Sequence, residues 1–518
     1  MSRQEKFPLQ GSIGQRVSIR LREGQAFRDL LGVLDSETSI TRKDGSQVSF
    51  SPDDIAFFRV VPVFNRRDLT TSPLSLYETA SRSVREISGE LIRIYMCGPT
   101  VYRDAHVGNM RTFLLGDLIT RALAMAGSET LTVQNITDVG HVSEDLNEED
   151  KVLEEAHRKS LSALEVARNY ESKFRHDLEL LNISPTNHSP RASENMVEII
   201  AAIQALIEKD FAYAGSDGNI YFDAQKFESY GAISGNRLDA LKPGHRYEYS
   251  GDGGKRFHAD WALWKLAGNR SEMVWESPWG TGFPGWHIEC TAMSLNLLGD
   301  RVDLHIGGID LRFPHHENER AQTNAIAGHD VVSHWIHGEH LLFEGRKMSK
   351  SAGNVVLVSD IAAAGLDPLA LRLNLLENRY RSQMDLSWDS LRAADSTLKR
   401  WRSALASWGQ SNELKFDQDI NSYLMADLDT PRALIRLREV EKDSTIGNQD
   451  KRAIFLYADT VLGLDLDCAP EAQELSHEAL ELLAAREVAR SEKNWAESDR
   501  LRDLLTQMGV EVRDGKLS

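Results

Sequence analysis

The chain has few cysteines and no long apolar run. Its 518 residues include only three thiols, which lie far apart at Cys97, Cys290 and Cys468. Thiols scattered in this way form no disulfide framework, so we expect a reducing compartment, the cytoplasm. No uninterrupted apolar segment could span a bilayer, and the opening MSRQEKFPLQ lacks the apolar core of a secretory signal. We therefore expect no membrane partner.

Positive charge is also scarce. The 60 Lys and Arg residues face 78 Asp and Glu, which gives a net charge of −18. This balance argues against wholesale coating of nucleic acid, but it allows a local basic face because charge is screened within about 10 Å. The segment LKRWR, residues 398–402, is one candidate for such a face, and an ordinary solvated helix explains it equally well. No internal repeat or low-complexity tract is visible.

The order of patterns along the chain predicts several domains, because one hydrophobic core rarely extends over 518 residues. Between residues 14 and 62, short alternating apolar segments and turn signals predict a small five-stranded, SH3-like β-barrel. The strand IRIYMCGPTVY, a helix that closes on Gly127 and the strand ETLTVQNITD predict a βαβ unit. Helical patterns fill residues 148–209, short strands and loops fill residues 261–308, and helices dominate after residue 360.

The segment GGIDLRFPHHENERAQ, residues 307–322, places two histidines just before two carboxylates. If Pro314 opens a helix, His315 and Glu319 lie four residues apart on one face, and His316 points elsewhere. Such a pair supplies two of the four ligands that a tetrahedral zinc site requires. The alternative is a solvated helix face, since few pairs at this spacing bind a metal.

Two cysteines could complete that set of ligands. Cys97 ends the first strand of the βαβ unit, next to the turn where a ligand is expected, and Cys290 lies in PGWHIECTAMS. Spacing alone does not exclude the alternative, in which both are small buried apolar side chains.

Two further motifs suit phosphate chemistry. HVGN, residues 106–109, lies between the first strand and the helix, where backbone N–H groups and an imidazole could face an anion. KMSKS, residues 347–351, carries two lysines three residues apart in a Ser/Gly-rich segment, and it could stabilise a departing pyrophosphate. A charged surface loop is the alternative for this segment.

The motifs as a set resemble a known family. YMCGPTVYRDAHVGNMRT, NITDV, NIYFD, DWALWK, GWHIECTAMS, GGIDLRFPHHENE and GRKMSKSAGN occur in the order seen in class I cysteinyl-tRNA synthetases. The resemblance extends from about Leu74 to near the C-terminus, and HVGN is similar to the HIGH motif of that class. The fold it implies is α/β: a class I synthetase Rossmann-like catalytic domain with helical C-terminal domains, preceded here by the small N-terminal β-barrel.

The resemblance also implies roles for individual residues. Four residues would bind zinc: Cys97, Cys290, His315 and Glu319. The catalytic residues would be His106, Asn109, Lys347 and Lys350, with His106 and Asn109 at the phosphates of ATP. ATP would contact His106, Gly108, Asp310 and Lys350, and the amino acid would contact Thr137, Trp286 and His287.

The implied reaction is ATP-dependent activation of L-cysteine to cysteinyl adenylate, followed by transfer to the 3′ end of tRNA(Cys). Zn²⁺, one per chain, would select the cysteine thiol, and ATP would bind with Mg²⁺. Cysteine, ATP and tRNA(Cys) are thus the expected partners of a monomer. Two alternatives stay open: a paralogue that transfers activated cysteine to a small amine, as in mycothiol synthesis, and a non-catalytic binding protein derived from a synthetase.

With the resemblance, four regions are predicted. Residues 1–66 would form the β-barrel, and residues 67–340 the catalytic domain, with a helical insertion at about residues 148–212. Residues 341–400 would hold the KMSKS loop and contact the tRNA stem, and residues 401–518 would form a helical domain on the anticodon side.

Overall fold

The computed structural model describes residues 9–23, 26–42, 46–60, 72–139, 151–241, 254–348, 353–468 and 477–507. The chain divides into two compact units, Met1–Asp467 and Cys468–Ser518. Among the described helices, none is both long and apolar enough to cross a membrane.

The described residues of the first unit form eighteen strands. These are β1 (Arg16–Glu23), β2 (Ala26–Ser36), β3 (Ser39–Thr41), β4 (Gln47–Ser49), β5 (Ile55–Val60), β6 (Leu74–Glu78), β7 (Ser83–Ile87), β8 (Leu91–Met96), β9 (Glu129–Gln134), β10 (Ala212–Ala214), β11 (Ile220–Phe222), β12 (Trp261–Leu266), β13 (Gly282–Pro284), β14 (Val302–Gly308), β15 (Val332–Gly338), β16 (Leu341–Phe343), β17 (Arg346–Lys347) and β18 (Met384–Leu386).

The described residues of the same unit form twelve α-helices. These are α1 (Val107–Met125), α2 (Lys151–Lys159), α3 (Ala163–Leu180), α4 (Met196–Glu208), α5 (Trp286–Leu298), α6 (His315–Ala327), α7 (Val358–Ala363), α8 (Leu369–Leu376), α9 (Trp388–Trp408), α10 (Gln418–Met425), α11 (Thr430–Lys442) and α12 (Asn448–Leu462).

The N-terminal sheet contains the five predicted strands, in the order β4-β3-β2-β1-β5. Alternate residues of β1, Val17, Ile19 and Leu21, are buried in a core of their own, as their spacing predicts. The strands β4 and β5 are the outer strands of this sheet, so its closure into a barrel stays a prediction. The proposed linker NRRDLTTSP lies almost entirely outside the described residues.

A parallel sheet with the strand order β15-β14-β8-β9 forms the centre of the unit. The helix α1 connects β8 to β9, so the predicted βαβ unit is present. This helix is buried over most of its length, and it ends before Gly127, whose φ of +84° suits a residue without a side chain. Because all four strands run the same way, their carboxyl ends meet at one edge of the sheet.

The stretch that we predicted to contain only short strands and loops differs from that prediction. A helix of thirteen residues, α5, follows directly after Gly285 and carries the segment WHIECTAMSLNLL. Its residues from His287 to Ser294 are all buried, so this part of the helix has no exposed face on which polar residues would alternate with apolar ones. Amphipathic periodicity, on which our sequence reading relied, is therefore missing from this helix.

The remaining described helices fall into three groups along the chain. The predicted helical insertion contains α2, α3 and α4. In the short sheet β17-β16-β18, the helices α7 and α8 lie between β17 and β18 in the chain, and α9–α12 follow β18. In the second unit, α13 (His477–Ser491) and α14 (Trp495–Gln507) pack against each other. The four predicted regions stay predictions at the level of their boundaries.

Candidate active site

A cavity of about 590 Å³ opens near the carboxyl edge of the parallel sheet. Strand ends, the start of α1 and the start of α5 line it, and α3 contributes Tyr170 and Phe174 to its wall. Six of the residues predicted to be functional lie in its lining: Cys97, Asn109, Trp286, His287, Asp310 and Lys347. The site predicted from scattered motifs is thus one place in the fold.

A cluster of soft and acidic ligands lies at one end of this cavity. Cys97 follows β8, Cys290 lies on α5, and His315 and Glu319 lie on one face of α6. One ligand atom from each residue lies within 4.8 Å of the others, and all four residues are buried. Nε2 of His315 lies 2.8 Å from a carboxylate oxygen of Glu319.

The sequence reading of His316 was wrong. We expected it to point away, but its Nε2 lies 3.3 Å from Sγ of Cys97. Together with His305 on β14, it forms a second possible ligand set that shares Cys97 and Glu319 with the first. The side chains of neighbouring helical residues point about 100° apart. Both imidazoles still reach the cluster, because His315 faces Cys290 and His316 faces Cys97.

Two histidines of the central strands were missed by sequence reasoning. His305 of β14 lies 3.5 Å from Sγ of Cys97, and His337 of β15 contacts Nδ1 of His316 at 2.8 Å. The far nitrogen of His337 in turn lies 2.8 Å from the hydroxyl of Thr79. The sequence did carry a signal for both residues: His305 lies within the apolar run DLHIGG, and His337 lies near the end of HWIHG. An imidazole in a buried strand requires a hydrogen-bond partner, so each run indicated a polar contact in the core.

The protonation of the cluster follows from its burial. Burial raises the pKa of Glu319 well above its usual value, and with Cys290 and Glu319 nearby it does the same for Cys97. A hydrogen bond from Cys97 lowers the pKa of Cys290 to about 7, against the effect of burial. Burial lowers the pKa of His305 and of His316, so both imidazoles are neutral at pH 7.

These residues fit a zinc ion on chemical grounds. Two thiols, one imidazole and one carboxylate are ligands that Zn²⁺ prefers, and four of them match its tetrahedral coordination. One oxygen of Glu319, Oε2, is buried without a hydrogen bond to any described residue, which is costly unless a cation lies nearby. His315 meets His287 through Nδ1 at 2.8 Å and turns Nε2 toward the cluster, as outer partners of metal ligands commonly arrange.

The HVGN turn caps α1. The backbone N–H of Asn109 donates to Nδ1 of His106 at 3.3 Å, and Oδ1 of Asn109 accepts from the N–H of His106 at 3.1 Å. Partial burial, with Arg103 nearby, lowers the pKa of His106, so its ring is neutral at pH 7. Because Nδ1 is an acceptor, the proton of the neutral ring lies on Nε2, which is then a donor.

Gly108 allows two motifs to meet. A Cβ at this position would lie 2.9 Å from the methyl carbon of Met348 and 2.9 Å from Nδ1 of His106. The KMSKS segment therefore contacts the HVGN turn through its methionine, and Lys347 lines the cavity beside it. Lys350 lies outside the described residues.

The predicted contacts of the amino acid are divided. Trp286 and His287 line the cavity, and the ring of Trp286 lies 4.3 Å from that of His315. Thr137 is buried and does not line the cavity. Its N–H donates to the carbonyl of Pro99, and Pro99 is a lining residue. Asp310 follows β14 and lines the cavity close to Gly308.

Comparison with known proteins agrees with this geometry. Residues 83–396 match the family model of the class I (C) tRNA synthetase catalytic domain, and residues 472–517 match the cysteinyl-tRNA ligase anticodon binding domain. The chain is 40% identical over 458 residues to cysteine–tRNA ligase 1 of Burkholderia lata, and the aligned region covers 85% of this chain and 95% of that protein. It is 38% identical over 479 residues to cysteine–tRNA ligase of Thermus thermophilus, with coverages of 86% and 98%.

Among solved structures, the chain is similar to methionyl-tRNA synthetase of Mycobacterium tuberculosis in complex with methionyl-adenylate. The identity is 16% and the TM-score 0.46, over 73% of this chain and 90% of that chain.

The parallel sheet, the HVGN turn at the start of α1 and the catalytic-domain match define a class I aminoacyl-tRNA synthetase. Enzymes of this class use ATP with Mg²⁺. Within the class, the chain belongs to the cysteine–tRNA ligase family.

Proposed function

We propose that this chain joins cysteine to tRNA(Cys), and that it recognises the cysteine thiol through a zinc ion held by Cys97, Cys290, His315 and Glu319. The observation that carries the proposal is the buried cluster of these four residues at one end of the cavity. A zinc ion at this site would favour the ionised form of the substrate thiol and bind it strongly, whereas the hydroxyl of serine is a poor zinc ligand. An apolar pocket alone discriminates substrates only about 10²-fold.

The protein side chains position the amino acid for attack on ATP. Trp286 and His287 line the cavity next to His315, so they would enclose the side chain of cysteine. The cysteine carboxylate would attack the α-phosphate of ATP, and pyrophosphate would leave as the P–O bond to the β-phosphate breaks. No nucleophile from the protein is required, because positioning supplies most of the catalysis.

The HVGN turn and the lysines would stabilise the charge that develops. His106 is neutral and carries its proton on Nε2, so it can donate a hydrogen bond to a phosphate oxygen without a change of charge. His106 also caps the N-terminus of α1, and helix N-termini favour anions. Lys347, and Lys350 from the same motif, would contact the departing pyrophosphate.

One experiment tests the substrate and the acceptor together. We expect purified protein to catalyse ATP–pyrophosphate exchange that depends on cysteine and responds at least about 10²-fold less to serine. The activated cysteine should then pass to tRNA(Cys) in a salt-dependent reaction. Transfer to a glucosamine-type amine but not to tRNA would identify the ligase paralogue, and absence of exchange would identify the non-catalytic binding protein.

The location and assembly of the protein are part of the same proposal. It would act in the cytoplasm, as three scattered cysteines favour. It would act there as a monomer, which sedimentation of the purified protein with and without tRNA would test.

A further inference from the structure

Arg111, two residues after Asn109 on α1, has an unusual set of partners. Its side chain is buried, and its two terminal nitrogens donate to four backbone carbonyls. The acceptors and distances are Glu339 at 3.0 Å, His340 at 2.8 Å, Arg379 at 3.0 Å and Ser382 at 2.7 Å. Each nitrogen serves one pair of carbonyls, so one guanidinium joins α1 to two separate segments of the chain.

These two segments precede a pair of parallel strands, one of which leads to the KMSKS motif. Residues 339–340 directly precede β16, and residues 379–382 precede β18, its parallel partner. The strand β16 turns into β17, where Lys347 pairs with Leu342. The start of β16 therefore fixes where β17 ends and where Lys347 meets the cavity.

The chain on the far side of the motif also contacts α1. The N–H of Val107 donates to the carbonyl of Val356 at 3.0 Å, and His106 forms an isolated antiparallel bridge with Leu357. The first five residues of the helix therefore contact the chain both before and after the KMSKS motif. Arg111 supplies the contact on the side that precedes Lys347.

A guanidinium suits this position for physical reasons. Burial lowers the pKa of Arg111 to about 10, with the Glu339 carboxylate opposing the shift, so the group stays charged at neutral pH. Charged donors form stronger hydrogen bonds to carbonyls than neutral donors do. Lysine would keep the charge, but a single ammonium nitrogen cannot span two pairs of acceptors in the way that the planar guanidinium does.

We propose that Arg111 is a positioning residue for adenylate formation, which holds Lys347 beside the HVGN turn by fixing the starts of β16 and β18. This inference rests on the proposed role of the KMSKS lysines. It assigns to Arg111 no contact with a substrate. Its effect should therefore be confined to the step in which pyrophosphate leaves.

The test compares the two chemical steps in Arg111→Lys. Single-turnover formation of cysteinyl adenylate should slow by about 10²-fold, the cost of a misplacement of about 1 Å, with KM for cysteine unchanged. Transfer of cysteine from the preformed adenylate to tRNA should keep its rate, because no pyrophosphate leaves in that step. Equal slowing of both steps would overturn the proposal, since a general loss of structure affects both. If Arg111→Lys does not fold, Arg111→Gln is compared in the same way.

A matched control lies on the same helix. Arg121 is equally buried, but it donates to Asp117 at 2.7 Å and to the carbonyl of Asn182 at 2.6 Å, not to the segments that precede β16 and β18. Arg121→Lys should lower the melting temperature and leave adenylate formation within about twofold of the wild type, a change of only about 0.4 kcal/mol. If it slows that step as much as Arg111→Lys does, the positioning role is refuted.

A double mutant separates this inference from the function on which it rests. If Arg111 acts through Lys347, Arg111→Lys should add little to the effect of Lys347→Ala. Multiplicative effects of the two changes would overturn the inference alone. A Lys347→Ala protein that forms adenylate at the normal rate would instead overturn the role proposed for the KMSKS lysine.

Discussion

His106 and Asn109 hold each other by reciprocal hydrogen bonds across the first turn of α1. The two polar side chains of HVGN thus have a structural role as the cap of this helix, besides the phosphate contacts proposed for them. The two roles are separable, because the cap requires only an acceptor at residue 109, whereas phosphate binding is sensitive to charge there.

The first prediction separates these roles. Asn109→Asp keeps an acceptor for the His106 N–H and places a negative charge at a helix N-terminus, so stability should change by less than about 0.5 kcal/mol. The same carboxylate repels a triphosphate, so KM for ATP should rise. Asn109→Ala should lose both the cap, about 1 kcal/mol, and activity. Denaturant titration and ATP–pyrophosphate exchange measure the two effects, and normal exchange in Asn109→Asp would contradict the proposed ATP contact.

The second prediction concerns the metal. Cys290→Ser removes one of the four proposed ligands, so zinc affinity should fall by at least about 10²-fold, the upper range for loss of an outer-shell partner. Affinity for cysteine should fall with it, whereas ATP affinity should change little. Metal analysis of the purified variants and substrate titrations provide the readouts.

Cys468→Ser is the control for this experiment, because Cys468 is exposed and is outside the cluster. This variant should keep its zinc and its affinity for cysteine. A wild-type protein that is purified without chelator, carries no zinc and still selects cysteine over serine would contradict the zinc proposal.

The third prediction concerns acid stability and His337. Burial, with Arg312 nearby, lowers the pKa of this imidazole from its usual 6.5 to about 3. Below pH 6.5 the unfolded chain therefore binds a proton that the folded chain does not, and stability falls as pH decreases from 6.5 toward 3. The contribution of this histidine is about 1.4 kcal/mol per pH unit within that window.

His337→Gln, which keeps an amide able to bond to Thr79 or His316, should be less stable at pH 7.5 but should show a weaker fall between pH 6.5 and pH 5. Thermal melts across this range measure the slope for each protein. His329→Gln is a suitable control, because this exposed histidine has a raised pKa and lies outside the buried cluster. An unchanged slope in His337→Gln would contradict the assignment.

The fourth prediction concerns the N-terminal sheet. Its apolar residues form a core separate from the two large cores of the same unit. A chain that begins near Asp68 should therefore fold, keep its zinc and form cysteinyl adenylate at the rate of the full chain. Any loss should appear in affinity for tRNA or another partner. An insoluble truncated protein, or one that forms no adenylate, would show that the sheet is part of the catalytic core.

Local sequence determined the elements that carry the motifs. The backbone geometry of strands and helices imposes a short-range periodicity on the sequence. That periodicity predicted the alternation in β1, the strand–helix–strand unit around α1 and the shared helix face of His315 and Glu319. The four proposed zinc ligands could be named because the motif order resembles a known family. Spacing alone left two buried thiols and a solvated helix face as alternatives.

The tertiary structure decided what those elements meet. LKRWR was a candidate basic face, but Lys399 pairs with Asp395, Arg400 with Glu441 and Arg402 with Asp367. Two of these carboxylates lie on distant parts of the chain, so no local pattern could reveal that the charges are already neutralised. The loss of free positive charge weakens the case for phosphate binding there.

The same holds for the histidines around Cys97 and for Arg111. His305 and His337 lie on strands that are adjacent to one another only because the parallel sheet places β14 between β8 and β15. The four carbonyls around Arg111 are backbone groups, which every residue has, so the sequence carries no mark of them. Periodicity determines which face of an element is buried, whereas the packing of elements distant in sequence determines which groups that face meets.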